Sequence, residues 1–456
     1  MGGGASKKKG VDAKKPVKIK APQPQPVAES VSPFSGHPGG LEPQNVVRDE
    51  AKLSEEKPRD VKGEAISSSQ PEPGEDRAKK ESASKALTEA LRCTEEATRR
   101  MLAHDTTRAV ELHEQALKMR REAVGPQHEA VAASLSSLAN LSLYLGRYPT
   151  AADQYRQALG VYKEALGPEH KNIAITLSNL GEVLRKQCKL GEAEQRLNEA
   201  LAMFMKVYGK EDSAFAATMN NLAGVLEAQG KYEAALDLAK RALTLQHNFL
   251  GEKHEHTLAG KMVLSNIYIS MGEIRLAETT ARQVVEVHER LGGEESQAFA
   301  AALSNLAYCT QMLGSVDDAE AILRRAMSMD EAVSGSQHPN SATDTHNAAV
   351  LVQMRGDTAE AMKLLEACKS VDLATLEADH LDQIITSNNI AWCNHGLGDS
   401  SEALEIYKAN LSTQEKVLGG DHPIVAETLN GMASVMGALG MAEEEYKLYP
   451  RILSIQ

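Results

Sequence analysis

The chain has 456 residues, 42% hydrophobic and 25% charged, which is too much apolar surface for a wholly disordered protein. Its net charge of −13 argues against nucleic acid as the main ligand, because phosphate binding needs concentrated lysine and arginine. Aromatic residues make up only 4%, so an aliphatic core is expected, and five cysteines without a CxxC pair point to a reducing compartment.

Ten of the sixteen prolines fall within residues 1–82. Residues 1–28 carry seven lysines against Asp12, and residues 29–82 carry eight basic and twelve acidic side chains. With stretches such as Ala21-Pro22-Gln23-Pro24-Gln25-Pro26 and Ser67-Ser68-Ser69, this segment cannot bury enough apolar area to offset its chain entropy. A disordered tail is predicted for 1–82, with an end-to-end distance of roughly 50 Å. Met1-Gly2-Gly3-Gly4-Ala5-Ser6 fits the N-myristoylation pattern, which makes Gly2 a candidate lipidation site. One acyl chain holds a bilayer weakly, and the lysines from Lys7 to Lys20 could supply the second, electrostatic signal on an anionic membrane surface. The alternative is a Gly-rich start followed by a solvated lysine run. No stretch of about 18 apolar residues and no secretory h-region are found, so the expected location is cytoplasmic, on the cytoplasmic face of a membrane if Gly2 is acylated.

From residue 83 onward the chain repeats itself. Gly146, Cys188, Gly230, Gly272, Gly314, Gly356, Gly398 and Gly440 are each 42 residues apart, and Ala151, Ala193, Ala235, Ala277, Ala319, Ala361 and Ala403 keep the same period. Phased series of this kind mark a solenoid. Each unit reads as two amphipathic helices. Ile173, Leu177, Leu180 and Leu184 form one stripe, and Ala193, Leu197, Ala200, Leu201 and Phe204 form the next. Glycine at the turns closes each helix, and small residues such as Ala139, Gly181 and Ala223 let helix axes approach closely. Residues 83–456 then hold about nine helix pairs, the first and last degenerate.

The Leu-Gly-x-x-His turns (Leu166 to His170, Leu250 to His254, Leu418 to His422) and the segments Leu177-Ser178-Asn179-Leu180-Gly181, Met219-Asn220-Asn221-Leu222-Ala223 and Leu303-Ser304-Asn305-Leu306-Ala307 resemble the tetratricopeptide repeat, in the 42-residue form of kinesin light chains and nephrocystins. The resemblance implies an all-α, right-handed α-solenoid whose concave face, lined by the first helix of each pair, binds peptides. It places the family's binding asparagine at Asn179, Asn221, Asn305, Asn347 and Asn389. One turn along lie Glu182, Arg185, Asn220, Glu227, Tyr308, Gln311, His346, Gln353, Asn388, Trp392 and His395. An amide can both donate to and accept from an extended backbone, so such a row could hold a peptide; equally, each Asn could bond to the neighbouring helix. Trp392 could anchor a partner or pack between repeats. Two departures from the relatives stand out: the Pro-rich tail cannot form a motor-pairing coiled coil, and no phosphate-binding GxxxxGK[ST] loop is present.

His128, His170, His254, His338, His380 and His422 recur in register. Repeats stack too far apart for these rings to share a metal, so they are predicted to bond backbone near the next helix start. No catalytic motif, metal site or cofactor site is found. The expected function is a non-catalytic adaptor binding peptide segments of partner proteins; the alternatives are a kinesin light chain-like cargo adaptor and a regulatory subunit of a separate enzyme. Tyr446, Leu448, Tyr449, Ile452, Leu453 and Ile455 lie on a last helix interrupted by Pro450 and without a polar cap, so either this helix frays or it meets another chain, self-association being the hypothesis.

Overall fold

A computed structural model of the chain describes residues 75–102, 105–207, 213–293, 295–377 and 379–455. Gly2, the segment Lys7–Lys20 and nearly all of the expected tail lie outside the described residues. Among the described residues there are eighteen helices and no strand. They form pairs: α1 (Glu75–Leu102) with α2 (Thr106–Val124), α3 (Glu129–Tyr144) with α4 (Tyr148–Leu166), and α5 (Lys171–Lys186) with α6 (Leu190–Val207). Next come α7 (Ser213–Ala228) with α8 (Tyr232–Leu250), α9 (Glu255–Ser270) with α10 (Ile274–Arg290), and α11 (Gln297–Met312) with α12 (Val316–Ser334). The last are α13 (Pro339–Met354) with α14 (Thr358–Thr375), α15 (Leu381–Leu397) with α16 (Ser400–Leu418), and α17 (Pro423–Ala438) with α18 (Ala442–Ile455). The first helix, α1, begins inside the segment expected to be tail.

The phased residues explain the pairing. Ala139, Ala151, Ala158, Ala193, Ala235 and Ala277 are fully buried where helices meet. At Gly181 an added Cβ would lie 2.5 Å from Leu197 Cγ, and at Gly431 it would lie 2.7 Å from the Tyr407 ring. These small residues let the partner side chain lie directly on the helix backbone, the basis of close helix packing. The core is not purely aliphatic: Tyr155, Tyr407, Phe204 and Phe299 are among its largest fully buried side chains. A scarce residue type can still dominate local packing when a glycine faces it.

All six register histidines cap a first helix. Each Nδ1 accepts the backbone N–H two residues on: Ala130 at 3.1 Å from His128, Asn172 at 3.2 Å from His170, His256 at 3.2 Å from His254, Asn340 at 3.1 Å from His338, Asp382 at 3.2 Å from His380 and Ile424 at 3.2 Å from His422. The predicted turn role is met, and each ring satisfies an amide that a helix start would otherwise leave unpaired.

The right-handed superhelix also coils far enough to touch itself. His338 Nε2 lies 2.8 Å from Tyr144 O, His380 Nε2 lies 2.6 Å from Lys186 O, and His422 Nε2 lies 3.1 Å from Ala228 O, each pair 194 residues apart. At His338 and His422, where Nδ1 is the cap acceptor, Nε2 carries the hydrogen and donates to the carbonyl; Nε2 of His380 donates whether or not its Nδ1 is protonated. A separation of 194 residues is about 4.6 repeats of 42, so the starts of α13, α15 and α17 sit on the ends of α3, α5 and α7, one superhelical turn earlier. Gln297 donates to Tyr144 O at 3.4 Å, and Lys189 pairs with Glu377 at 3.1 Å across the same seam. Leu376 packs against the core cluster of the early repeats, and Tyr144 against that of α11 and α12.

At the C-terminal end α18 buries Ile452 against α17, leaves Tyr446 and Leu453 exposed, and contains Pro450 within its length.

Candidate functional site

The first helices carry the predicted groove residues, and the structure brings five of them together. Glu182 and Arg185 from α5 and Asn220, Asn221 and Glu227 from α7 line one recess of about 20 Å³, closed by Asn266 and Ile267 of α9. Its charges are matched internally. Arg185 grips Glu182 through two nitrogens, at 3.0 and 2.7 Å. Burial alone would lower the Arg185 pKa, but the Glu182 carboxylate outweighs it and raises it. Glu227 accepts from Ser270 Oγ at 2.5 Å, and burial raises its pKa despite that bond and the nearby Arg185. The recess therefore presents amides more than net charge.

The asparagine row forms a ladder between successive first helices. Asn179 Nδ2 reaches Asn140 Oδ1 at 3.5 Å, Asn221 Nδ2 reaches Ser178 Oγ at 3.3 Å, Asn305 Nδ2 reaches Asn266 Oδ1 at 2.7 Å, and Asn389 Nδ2 lies 2.9 Å from His346 Nε2. In the neighbouring register Asn220 Nδ2 donates to Gln246 Oε1 at 3.0 Å, and Asn388 Nδ2 donates to Thr428 Oγ1 at 2.8 Å. Yet Asn220 Oδ1, Asn305 Oδ1 and Asn389 Oδ1, the Asn347 amide nitrogen and Gln353 Oε1 are buried without a hydrogen-bond partner. Tyr308 and Gln311 are buried further along, with Gln311 donating to Met354 Sδ at 3.0 Å. Trp392 is half-buried, its ring 5.6 Å from that of His395, which bonds Ser400.

Asn140 and Asn266 were not singled out from sequence, although both accept from the row. Each lies three residues past the register position of the row, hence on the same helical face, and that spacing was the available signal. A larger cavity of about 380 Å³, lined by Leu87 and Leu91 of α1, Arg120 of α2, Ala133 of α3, Tyr162 of α4 and Asn172 of α5, contains none of the predicted residues. It depends on how α1 packs, which no repeat motif encodes.

Among the described residues no group of His, Cys, Asp and Glu could hold a metal ion, and no helix is long and apolar enough to cross a membrane.

Comparison with known proteins agrees with this architecture. No curated protein matches the sequence. In solved structures the chain is similar to a Rap protein complexed with Competence and Sporulation Factor, at 14% identity, TM-score 0.59, covering 82% of this chain and 98% of that one. It is also similar to the Rap conjugation gene regulator of the plasmid pLS20 in complex with the Phr* peptide, at 12% identity, TM-score 0.53, covering 80% and 94%. Nearly identical TPR-like repeats named for a kinesin light chain of Podosopora anserina align at 24% identity, TM-score 0.36, over 46% of this chain and 100% of that one. Profiles described as tetratricopeptide repeat match residues 97–164, 143–206, 215–290 and 298–373, with further matches at 178–247 and 386–424. With its 42-residue helix pairs, capped turns and phased alanines, the chain belongs to the tetratricopeptide repeat family.

Proposed function

We propose that the chain is a non-catalytic scaffold that holds peptide segments of partner proteins against the first-helix face of its superhelix. The observation that carries this reading is the half-satisfied amide row. Asn220, Asn305 and Asn389 each commit a nitrogen to a neighbour and keep a buried carbonyl oxygen without a partner. An unmet buried acceptor is costly, and an extended peptide backbone supplies the N–H groups to satisfy it. Entry requires adjacent first helices to part slightly, since these atoms are covered. The Rap structures solved with a peptide or with Competence and Sporulation Factor support the same use of a superhelix of this shape.

The test is affinity capture of peptides and partner proteins on the full chain, compared with Asn221→Ala and Asn305→Ala. Groove binding predicts a loss of about tenfold in affinity, the equivalent of one or two hydrogen bonds. Identical partner sets and affinities would place binding on another surface. The membrane tether through Gly2 and Lys7–Lys20 rests on the sequence pattern. Metabolic labelling with a myristate analogue should mark the wild type and not Gly2→Ala, and an unlabelled wild type removes the tether.

A further inference from the structure

The middle of the three contacts between superhelical turns is unlike its neighbours. At the crossings on either side a glycine faces a proline: an added Cβ at Gly146 would lie 2.7 Å from Pro339 Cδ, and one at Gly230 would lie 3.2 Å from Pro423 Cδ. In the middle crossing the same two register positions hold Cys188 and Leu381, and here the seam opens into a cavity of about 100 Å³. The ends of α5 and α7 supply one side of it, and the starts of α15 and α17 the other.

Lys186 lines this cavity, is only 4% exposed, and its Nζ has no hydrogen-bond partner. A buried ammonium without a counter-charge is among the most costly groups a fold can contain. The other charges nearby are already engaged. Arg185 is paired with Glu182 at 2.7 Å, Glu227 accepts from Ser270, and Asp382 Oδ2 lies 3.7 Å from His380 Nδ1. Lys186 is the group left without a hydrogen-bonded partner: burial, then the adjacent Arg185, lowers its pKa to about 7 against the pull of Glu182 and Asp382, and an anion beside Nζ would hold it charged. The N-termini of α15 and α17, which carry partial positive charge, also border the cavity. The helix ends opposite do not cancel them fully, because Lys186 O and Ala228 O accept from His380 and His422. Leu190, Leu381 and Ile385 form an apolar wall.

We propose that this cavity binds a small aliphatic monocarboxylate, its carboxylate paired with Lys186 and its short alkyl body against Leu190, Leu381 and Ile385. The modest volume and short apolar wall suit a ligand of a few carbons. One uncompensated cation, with Asp382 and Glu227 close by, selects a single negative charge over a dianion such as phosphate. Since both superhelical turns line the site, occupancy ties them together, independently of any peptide in the groove.

The probe is isobutyrate, titrated into the full chain, with isobutyramide as its uncharged counterpart. The melting temperature should rise saturably by about 2–4 °C with isobutyrate and not with isobutyramide. Lys186→Met, which replaces the ammonium with an apolar chain of similar length, should show no rise. Methyl NMR of the unaltered protein supplies a second measure that does not depend on how the variant folds: isobutyrate should shift the Ile385 methyl resonances saturably. An absent or non-saturable response, an equal response to isobutyramide or in a folded Lys186→Met, or methyl shifts confined to other parts of the chain would overturn the proposal.

Discussion

Asp330 on α12 and Asp344 on α13 meet in the core and cannot both be charged there. Asp344 Oδ1 accepts from Ser304 Oγ at 2.5 Å, while Asp330 is buried with one oxygen unpartnered. Burial, reinforced by the facing carboxyl, raises the Asp330 pKa well above its usual range, and burial raises Asp344 to about 7. A raised carboxyl pKa contributes stability that is complete below the unfolded value near 4 and is lost as pH rises through the folded value. Asp330→Asn keeps a donor for Asp344 without the second charge. It should be more stable than wild type by about 1–3 kcal/mol at pH 8, with the difference shrinking as pH falls to 5, as read by urea unfolding. Backbone strain offers a second prediction at this scale. Cys188 has φ 55 where the other repeats place glycine. Cys188→Gly should raise stability by about 0.5 kcal/mol, the left-handed penalty less the entropy of glycine. Gly146→Ala should cost about 1–3 kcal/mol, because φ is 69 there and Pro339 leaves no space.

The elements show which parts of the repeat act locally and which reach further. His128, His170 and His254 cap their own helices, whereas His338, His380 and His422 cap and also donate to a helix end one superhelical turn away. His338→Ala should therefore cost more than His128→Ala, which removes a cap alone at about 1 kcal/mol; chemical unfolding of the two variants compares them. His380 differs from its neighbours: burial would lower its pKa, but Asp382 and Cys188 outweigh burial and raise it to about 10. The ring is therefore charged at neutral pH, where its Nδ1 exchanges the cap bond for an ion pair with Asp382 at 3.7 Å. In α18, only Tyr446 and Leu453 remain strongly exposed from the apolar set expected to mediate self-association, while Ile452 faces the core. Self-association through this helix predicts a concentration-dependent dimer mass that Leu453→Glu abolishes, and mass measurement showing only monomer at high concentration removes it.

For the whole molecule, the consequence of the turn crossings is a superhelix held closed by a few bonds rather than by a continuous core. Burial lowers His338 to about 4, with Lys186 adding to it and the bond to Tyr144 O opposing it; burial likewise lowers His422. A lowered histidine pKa gives stability that is present above the unfolded value near 6.5 and is lost as pH falls toward the folded value. Acidification from pH 7 to 4.5 should loosen the seam, and small-angle scattering should show a larger radius of gyration before helical circular dichroism is lost. Substituting His338, His380 and His422 together by alanine should produce the expanded form already at pH 7.

The sequence by itself determined the repeat length, the helix pairing, the turn glycines and the capping histidines. Each depends on contacts within one unit or between adjacent units, and a 42-residue period records such contacts directly. It also placed Glu182, Arg185, Asn220, Asn221 and Glu227 on one face, since helical spacing decides faces. Whether a given amide keeps a free oxygen depended on the partner's rotamer in the neighbouring repeat, as with Asn266 of the preceding helix pair beneath Asn305. The closure of the superhelix was decided only in the tertiary structure. A small rotation per repeat accumulates over about 4.6 repeats, and His338 looks like His128 until that sum brings it onto Tyr144.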